Sequence, residues 1–417
     1  MTTGLKARIP RLQTFSSLKH RDYRLLWSGT FALTAGDWIQ QMTVAWLMYD
    51  MTGSALLVGI LQGVRGIPIL LIGPMSGVFA DRVDRRRLLL WNQVFLASSA
   101  LALAIIVATG RTQPWHLVVF SALNGAGLAI VNPLRQTLVA NTVPAEELPS
   151  AVGLSSMAFN VNRALGPAIG GVLIAFTGPA TNFFIQAGCY ACVALLVLLM
   201  RIRKQDHVGA GHPSPLKDLK EGLVYVFKDK PVMAAVVIST IPSIFLIPFA
   251  TSLMPVFTKD VLHQGPDGLG VVLAAIGVGG VVGTLASASA GHKTNVLQVA
   301  MLVLSAVALI AASLTNSMAV ALPLLAVQGV GQAAFYSMNL TFVQSAIPDQ
   351  VRGRVMSIVL LNLAIAPFGS FLSGAAADLL GSPLAMLIGG VLTIGMVLVV
   401  ASRFKMSAER ASKAAVG

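Results

Sequence analysis

The chain is 417 residues long, with 55% hydrophobic and 11% charged residues, a mean hydropathy of +0.78 and a formal charge of +13. These values lie outside the range of soluble globular proteins and point to a membrane protein that crosses the bilayer many times. The positive charge then reads as topology and contact with anionic lipid, and implies no nucleic-acid partner.

Residues 1–23 carry Lys6, Arg8, Arg11, Lys19 and Arg21 without a small-residue cleavage pattern, which predicts an uncleaved cytoplasmic lead-in. Six apolar stretches follow at approximately 24–49, 54–80, 88–109, 115–140, 148–177 and 181–202, each long enough to cross a hydrocarbon core of roughly 30 Å. Their length and freedom from charge favour helices over the alternating strands of an outer-membrane barrel. Span 1 carries Thr34, Asp37, Trp38 and Gln41 at helical spacing, a polar stripe that should face a wet cavity or another helix. Span 2 contains Arg65 in LQGVRGIP, placed to hold an anionic group at the cavity side. Between spans 2 and 3 the run GVFADRVDRRR, 77–87, crowds six charges into seven positions. Span 4 presents Asn124, Asn132 and Arg135 on one broad face, and span 5 has Arg163 on a face with Ser156, Asn160 and Pro167. In span 6, Cys189 and Cys192 read as packing thiols, because a metal or redox pair there would lack further ligands and water.

A polar break at 203–231 reads as a cytoplasmic linker between a first bundle, 24–202, and a second, 232–404, which is followed by a tail at 405–417. The second set of spans lies at approximately 232–257, 267–290, 295–314, 318–346, 352–379 and 383–404. Span 7 holds Ser243, Phe245 and two bending prolines, Pro242 and Pro248. Span 10 carries Gln328, Gln332, Tyr336 and Asn339. The expected architecture is an all-α membrane protein of twelve transmembrane helices in two pseudo-symmetric six-helix bundles.

Cytoplasmic termini put nearly all Lys and Arg on the inner face, leaving Arg111 and Lys259 outside and Arg65 and Arg163 within spans. The expected location is the inner (plasma) membrane. Only Asp37, Arg65 and Arg163 lie deep, and an ionisable group there costs a few kcal/mol unless protein or water receives it. Asp37 could exchange a proton, or pair with Arg163 or Arg65; Arg163 is the favoured structural partner.

A shift of 204 residues places Gly125 on Gly329, Gly127 on Gly331, Thr137 on Thr341, Pro144 on Pro348 and Gly170 on Gly374. A duplication of six spans puts a substrate path between the halves, near the bilayer midplane. The run at 77–87, the twelve spans and LGPAIGG at 165–171 resemble the major facilitator superfamily, in its transmembrane secretion effector and enterobactin-exporter branch. Asp84 stands where many members have a second glycine. The resemblance implies that Gly77 permits close packing, and that Asp81 and Arg82, with Arg85 or Arg86, latch helix 2 to helix 11 when the cytoplasmic side is closed. It also implies that helices 1, 4, 7 and 10 line the path, which agrees with the polar residues of spans 1, 4 and 10.

No P-loop, close Ser/His/Asp set, metal cluster or cofactor motif stands out, so an enzyme is not expected, nor a cofactor or metal. The expected function is secondary transport, energised by a proton gradient, that exports a hydrophobic or amphipathic drug or toxic metabolite. A siderophore exporter and a lysophospholipid flippase are alternatives of the same class, and a non-transporting membrane sensor is one of another. The expected partners are the bilayer and a small-molecule substrate, with a monomer sufficient for function.

Overall fold

The computed structural model describes residues 15–82, 84–200, 215–289 and 295–403, and all regular structure among them is helical. The first six spans are α1 (Arg21–Thr52), α2 (Ala55–Arg82), α3 (Arg85–Ala108), α4 (Pro114–Thr142), α5 (Leu148–Thr177) and α6 (Pro179–Leu199). An amphipathic helix follows, α7 (Pro215–Lys228), and then α8 (Lys230–Phe245), α9 (Ile247–Thr251) and α10 (Met254–Asp260), which together make span 7. The remaining spans are α11 (Pro266–Ser289), α12 (Asn295–Ser313), α13 (Met318–Ala346), α14 (Asp349–Leu380) and α15 (Ser382–Arg403). Ten membrane-length apolar segments are found among the described residues. The more polar α1 and α14, 32 residues each, bring the membrane-length segments to twelve.

Local chemistry sets these boundaries. Gly53 ends α1 in the left-handed region, at φ 63°, and its N–H donates to the Tyr49 carbonyl at 2.8 Å, so the chain turns straight into α2. Prolines open α4 and α6, where the missing N–H costs no hydrogen bond. Span 7 is broken into three pieces; Pro248 and Pro255 open the second and third, so the bending expected of its prolines takes the form of two interruptions.

The helices α1–α6 pack on one another, as do α8–α15, and the two groups meet along α5 with α11 and α2 with α14. Inside a bilayer no hydrophobic force separates helix from lipid, so close contact relies on small residues. A Cβ added to Gly125 of α4 would overlap the Arg65 carbonyl oxygen of α2, and one added to Gly329 of α13 would overlap the Ile276 carbonyl oxygen of α11. Gly127 likewise seats on α3 at Leu96, and Gly331 on α12 at Met301. The equivalences read from the shift of 204 thus correspond to equivalent contacts in the two groups. Gly170 and Gly374 do not: Gly374 seats on Ala55 of α2, and it is Gly171, one residue later, that seats on Pro266 of α11.

Gly125→Val should therefore cost about 1–3 kcal/mol of overpacking or more, since a rigid carbonyl cannot yield, and sharply lower the monodisperse fraction on size exclusion. The control is Gly153→Val, where a Cβ meets nothing within 4 Å.

The expected linker at 203–231 contains α7, which the sequence reading did not foresee. Val226 packs into a cluster with Val232, Val343, Ile347 and Val355. Gly222 sits against the Arg354 carbonyl of α14, and Glu221 Oε2 pairs with Arg354 Nη1 at 2.9 Å.

A candidate polar centre and a closed end

Asp37 lies halfway along α1, and Arg65 is ten residues into α2, or about 15 Å from its start at 1.5 Å per residue. Arg65 Nη2 donates to both carboxylate oxygens of Asp37, at 2.6 and 2.8 Å. Its Nε donates to Asn124 Oδ1 at 3.2 Å; Asn124 Nδ2 donates to the Tyr190 hydroxyl at 2.9 Å, and Gln186 Nε2 donates to the same hydroxyl at 3.0 Å. Gln186 also reaches Gln40 Oε1 at 3.3 Å. The ion pair is thereby tied to α4 and α6, while its side chains remain 13% (Arg65) and 19% (Asp37) exposed. In a low-dielectric setting such a pair is supported by the further hydrogen bond from Arg65 Nε to Asn124.

The favoured pairing of Asp37 with Arg163 is thus corrected. The face that α1 turns to α5 is occupied by other residues: Trp38 packs on Gly166 and edge-on to the Phe159 ring at 5.7 Å, and Thr34 Oγ1 accepts from Asn162 Nδ2 at 2.7 Å. Arg163 instead reaches out of the group, donating from Nη2 to Gln332 Oε1 of α13 at 3.3 Å. Gln41, the last member of the polar stripe, donates to Gln62 Oε1 of α2 at 3.5 Å.

The faces expected on spans 4 and 10 are only partly assembled. Asn124 belongs to the network, but Asn132 is exposed, and Arg135 lies apart among Leu25, Leu26, Leu89 and Val193 of α1, α3 and α6. On α13, Gln332 meets Arg163, Gln328 and Asn339 are buried within the second group, and Tyr336 is 44% exposed.

The expected latch is only partly described. The side chains of Gly77, Asp81 and Arg82 lie outside the described residues. Arg86 donates from Nε to the Val197 carbonyl at 3.2 Å and from Nη2 to the Leu198 carbonyl, so it caps α6 in its own group rather than bridging to α14. Asp84 caps α3, its Oδ1 accepting from the Arg87 N–H at 2.9 Å. Arg85 is the first residue of that helix.

The two groups are joined instead at the end that carries the α1–α2 turn. Asp378, near the end of α14, accepts from the backbone N–H of Ala55 at 2.6 Å and of Leu56 at 3.1 Å, and from Ser54 Oγ at 2.9 Å. A carboxylate of one group therefore caps the first turn of α2 in the other, meeting both its free N–H groups and its positive dipole end. Lys259 Nζ donates to Asp50 Oδ1 at 2.6 Å, and the Tyr49 hydroxyl donates to Asp260 Oδ2.

The sequence reading missed Gln40, Gln62, Gln186 and Tyr190 in the centre and Asp378 and Asp260 at the closed end. The α6 members were visible as Asn182, Gln186 and Tyr190, spaced by four and all fully buried. Taken together, the centre holds a carboxylate against an arginine whose other partner is a neutral amide.

Comparison with known proteins gives a consistent result. The model of a family described as transmembrane secretion effector matches residues 12–416. The staphyloferrin A transporter of Staphylococcus aureus is 26% identical over 384 residues, covering 90% of this chain and 94% of its own. The multidrug efflux pump Tap of Mycolicibacterium fortuitum is 26% identical over 368 residues, covering 84% and 88%. Among solved structures, an inward-facing, unoccupied bacterial homologue of the human lysosomal transporter Spinster superposes with a TM-score of 0.73 at 14% identity, covering 94% of this chain and 97% of its own. The nucleoside transporter NupG, as a point mutant, superposes at 0.76 and 13% identity, covering 92% and 99%.

Proposed function

The chain belongs to the transmembrane secretion effector family of the major facilitator superfamily, and from that premise we propose that it exports an amphipathic organic molecule from the cell in exchange for protons. It is a membrane transporter and not an enzyme. The observation that carries the reading is the Asp37–Arg65 pair, a titratable carboxylate at mid-depth with a fixed counter-charge.

With residues 24–202 and 232–404 as the two rocking units and both termini cytoplasmic, the closed end faces outwards, which leaves the cytoplasmic side as the entrance. Substrate enters there, among Trp38, Gln41, Arg163, Gln332 and Tyr336, which combine aromatic surface, amides and few charges. In the alternate state, open to the outside, a proton neutralises Asp37, Arg65 turns to Asn124 alone, and the substrate is released outwards. The re-formed ion pair expels the proton inwards. Asp81 and Arg82, with Arg85, close the cytoplasmic end in the alternate state.

The test is flux in sealed proteoliposomes, with the protein oriented by the side of the vesicle to which it is exposed. A lipophilic cationic drug should be moved against its gradient when a pH difference is imposed, and a protonophore should abolish that movement. Flux that only equilibrates, with no response to pH difference, would refute proton coupling.

A second reading has its own support. Arg65 and Arg163 are two cations at mid-depth, a pair suited to a carboxylate-rich chelator, and the relative from Staphylococcus aureus is named for a siderophore. Substituting such a chelator for the drug in the same vesicles separates the two.

A further inference from the structure

Outside the polar centre, a groove of about 730 Å³ opens on the outer surface between α3 and α6. Trp91, Val94 and Leu101 line one wall, and Phe184, Leu195 and Leu198 the other. The groove faces the hydrocarbon and not the passage, as Trp91 is 71% exposed and Leu195 57%. From Trp91 to Leu101 is ten residues of helix, about 15 Å, which is the depth of one leaflet of a core roughly 30 Å thick.

The groove has one charged mouth. Arg87 is exposed and lies one turn before Trp91, on the same face of α3 as Val94 and Leu101, by the spacing of three and four. Arg86, beside it, holds the carbonyls of Val197 and Leu198 and so fixes the end of α6 against the start of α3 where the groove opens. Trp91 stands just inside, where an amphipathic ring prefers the boundary between headgroups and acyl chains. A guanidinium at headgroup level, an aromatic ring below it and one leaflet's depth of apolar wall are complementary to a single lipid.

We infer that this groove is a binding site for an anionic phospholipid, with its phosphate on Arg87 and an acyl chain laid between α3 and α6. The guanidinium suits phosphate through its planar, two-pronged donors. Apart from the Ser98 hydroxyl the lining is almost wholly apolar, so headgroup selectivity rests on the mouth and chain binding on the walls. Neither depends on what the protein transports.

The full chain, purified in detergent and titrated with phosphatidylglycerol or phosphatidylcholine of identical acyl chains, is read by native mass spectrometry. One phosphatidylglycerol should bind about fivefold more tightly than phosphatidylcholine, the factor expected of one arginine at a membrane surface. Arg87→Gln should bring the two lipids to equal affinity. Gly188→Leu with Ala191→Phe should remove the bound lipid of both kinds; a side chain at Gly188 meets nothing within 4 Å, and leucine is the better helix former, so the fold is retained. Thermal unfolding of that variant, no earlier than wild type, verifies the last point. An undiminished preference in Arg87→Gln overturns the assignment of the phosphate, and undiminished lipid retention in the groove-filled variant overturns the site. A dimer that disappears in the groove-filled variant would assign the groove to a second copy of the chain and also overturn it.

Discussion

Asp37→Asn is expected to abolish accumulation driven by a pH gradient while leaving substrate binding measurable. The amide oxygen can still accept from Arg65 and keep the guanidinium directed, so the centre retains its shape, but an amide cannot alternate between a charged and a protonated form. Asp37→Glu should retain part of the driven activity. The ion pair makes a separate stability forecast. Breaking a buried pair by removing one partner costs about 3–5 kcal/mol, most of it from the orphaned charge. Arg65→Ala leaves a carboxylate that can take up a proton, whereas Asp37→Ala leaves a guanidinium that cannot readily lose one. Folding yield should therefore fall further in Asp37→Ala than in Arg65→Ala, and the double variant Asp37→Asn with Arg65→Gln should recover yield without recovering coupling. Uphill flux at fixed membrane potential, with internal pH recorded, checks the first expectation. Full accumulation by Asp37→Asn would remove Asp37 from the proton path.

The second large effect belongs to Asp378. Its carboxylate satisfies two backbone N–H groups of α2 and one serine hydroxyl from across the boundary between the groups, and it does so only when this end is closed. Loss of a helix cap costs about 0.5–2 kcal/mol, and every 1.4 kcal/mol is a factor of ten in an equilibrium. Asp378→Ala should shift the population away from the closed arrangement by roughly tenfold. Spin labels at Thr52 and Leu379, introduced after Cys189 and Cys192 are replaced by serine, would report a longer distance in a larger share of molecules. Turnover should slow because the return to the closed state becomes the uphill step. Asp378→Asn, which keeps an acceptor oxygen but not the charge, should lie between. An unchanged distance distribution would mean that Lys259, Asp50, Tyr49 and Asp260 hold this end without help.

Most of the fold could be read from the chain. Long apolar runs have one solution in a bilayer, since every backbone group must be paired internally, and the glycine equivalences marked where helices touch. What could not be read was which helix lies beside which face. Asp37, Arg65 and Arg163 were all recognisable as deep charges, yet the choice between two arginines depends on the rotation of α1, and Trp38 and Thr34 had already committed one of its faces to α5. The α6 stripe was legible by spacing, but neutral polar side chains in a span carry no desolvated charge to mark them, and only the arrival of α1 and α4 beside them shows what they bond. α7 was legible as an amphipathic helix of 14 residues, but it lies in a charged segment too short and too polar to span the bilayer, and the reading by spans passed over it. Asp378 looked like an ordinary acid at a span end, and only the arrival of α2 beside it makes it a cap.

The tight turn at Gly53 joins the two helices that carry Asp37 and Arg65, 28 residues apart, into one hairpin. During synthesis each of those side chains, alone in a nascent span, would oppose insertion by about 2.5–3.5 kcal/mol. Because the partners are consecutive, they can enter the bilayer as a neutral unit as soon as the ribosome has released α2. A partner on α5 would have left the carboxylate to wait through the emergence of three further helices, exposed to quality control. The position of the arginine thus bears on biogenesis: moving it to a later helix, even with the final geometry preserved, should reduce the amount of protein that reaches the membrane.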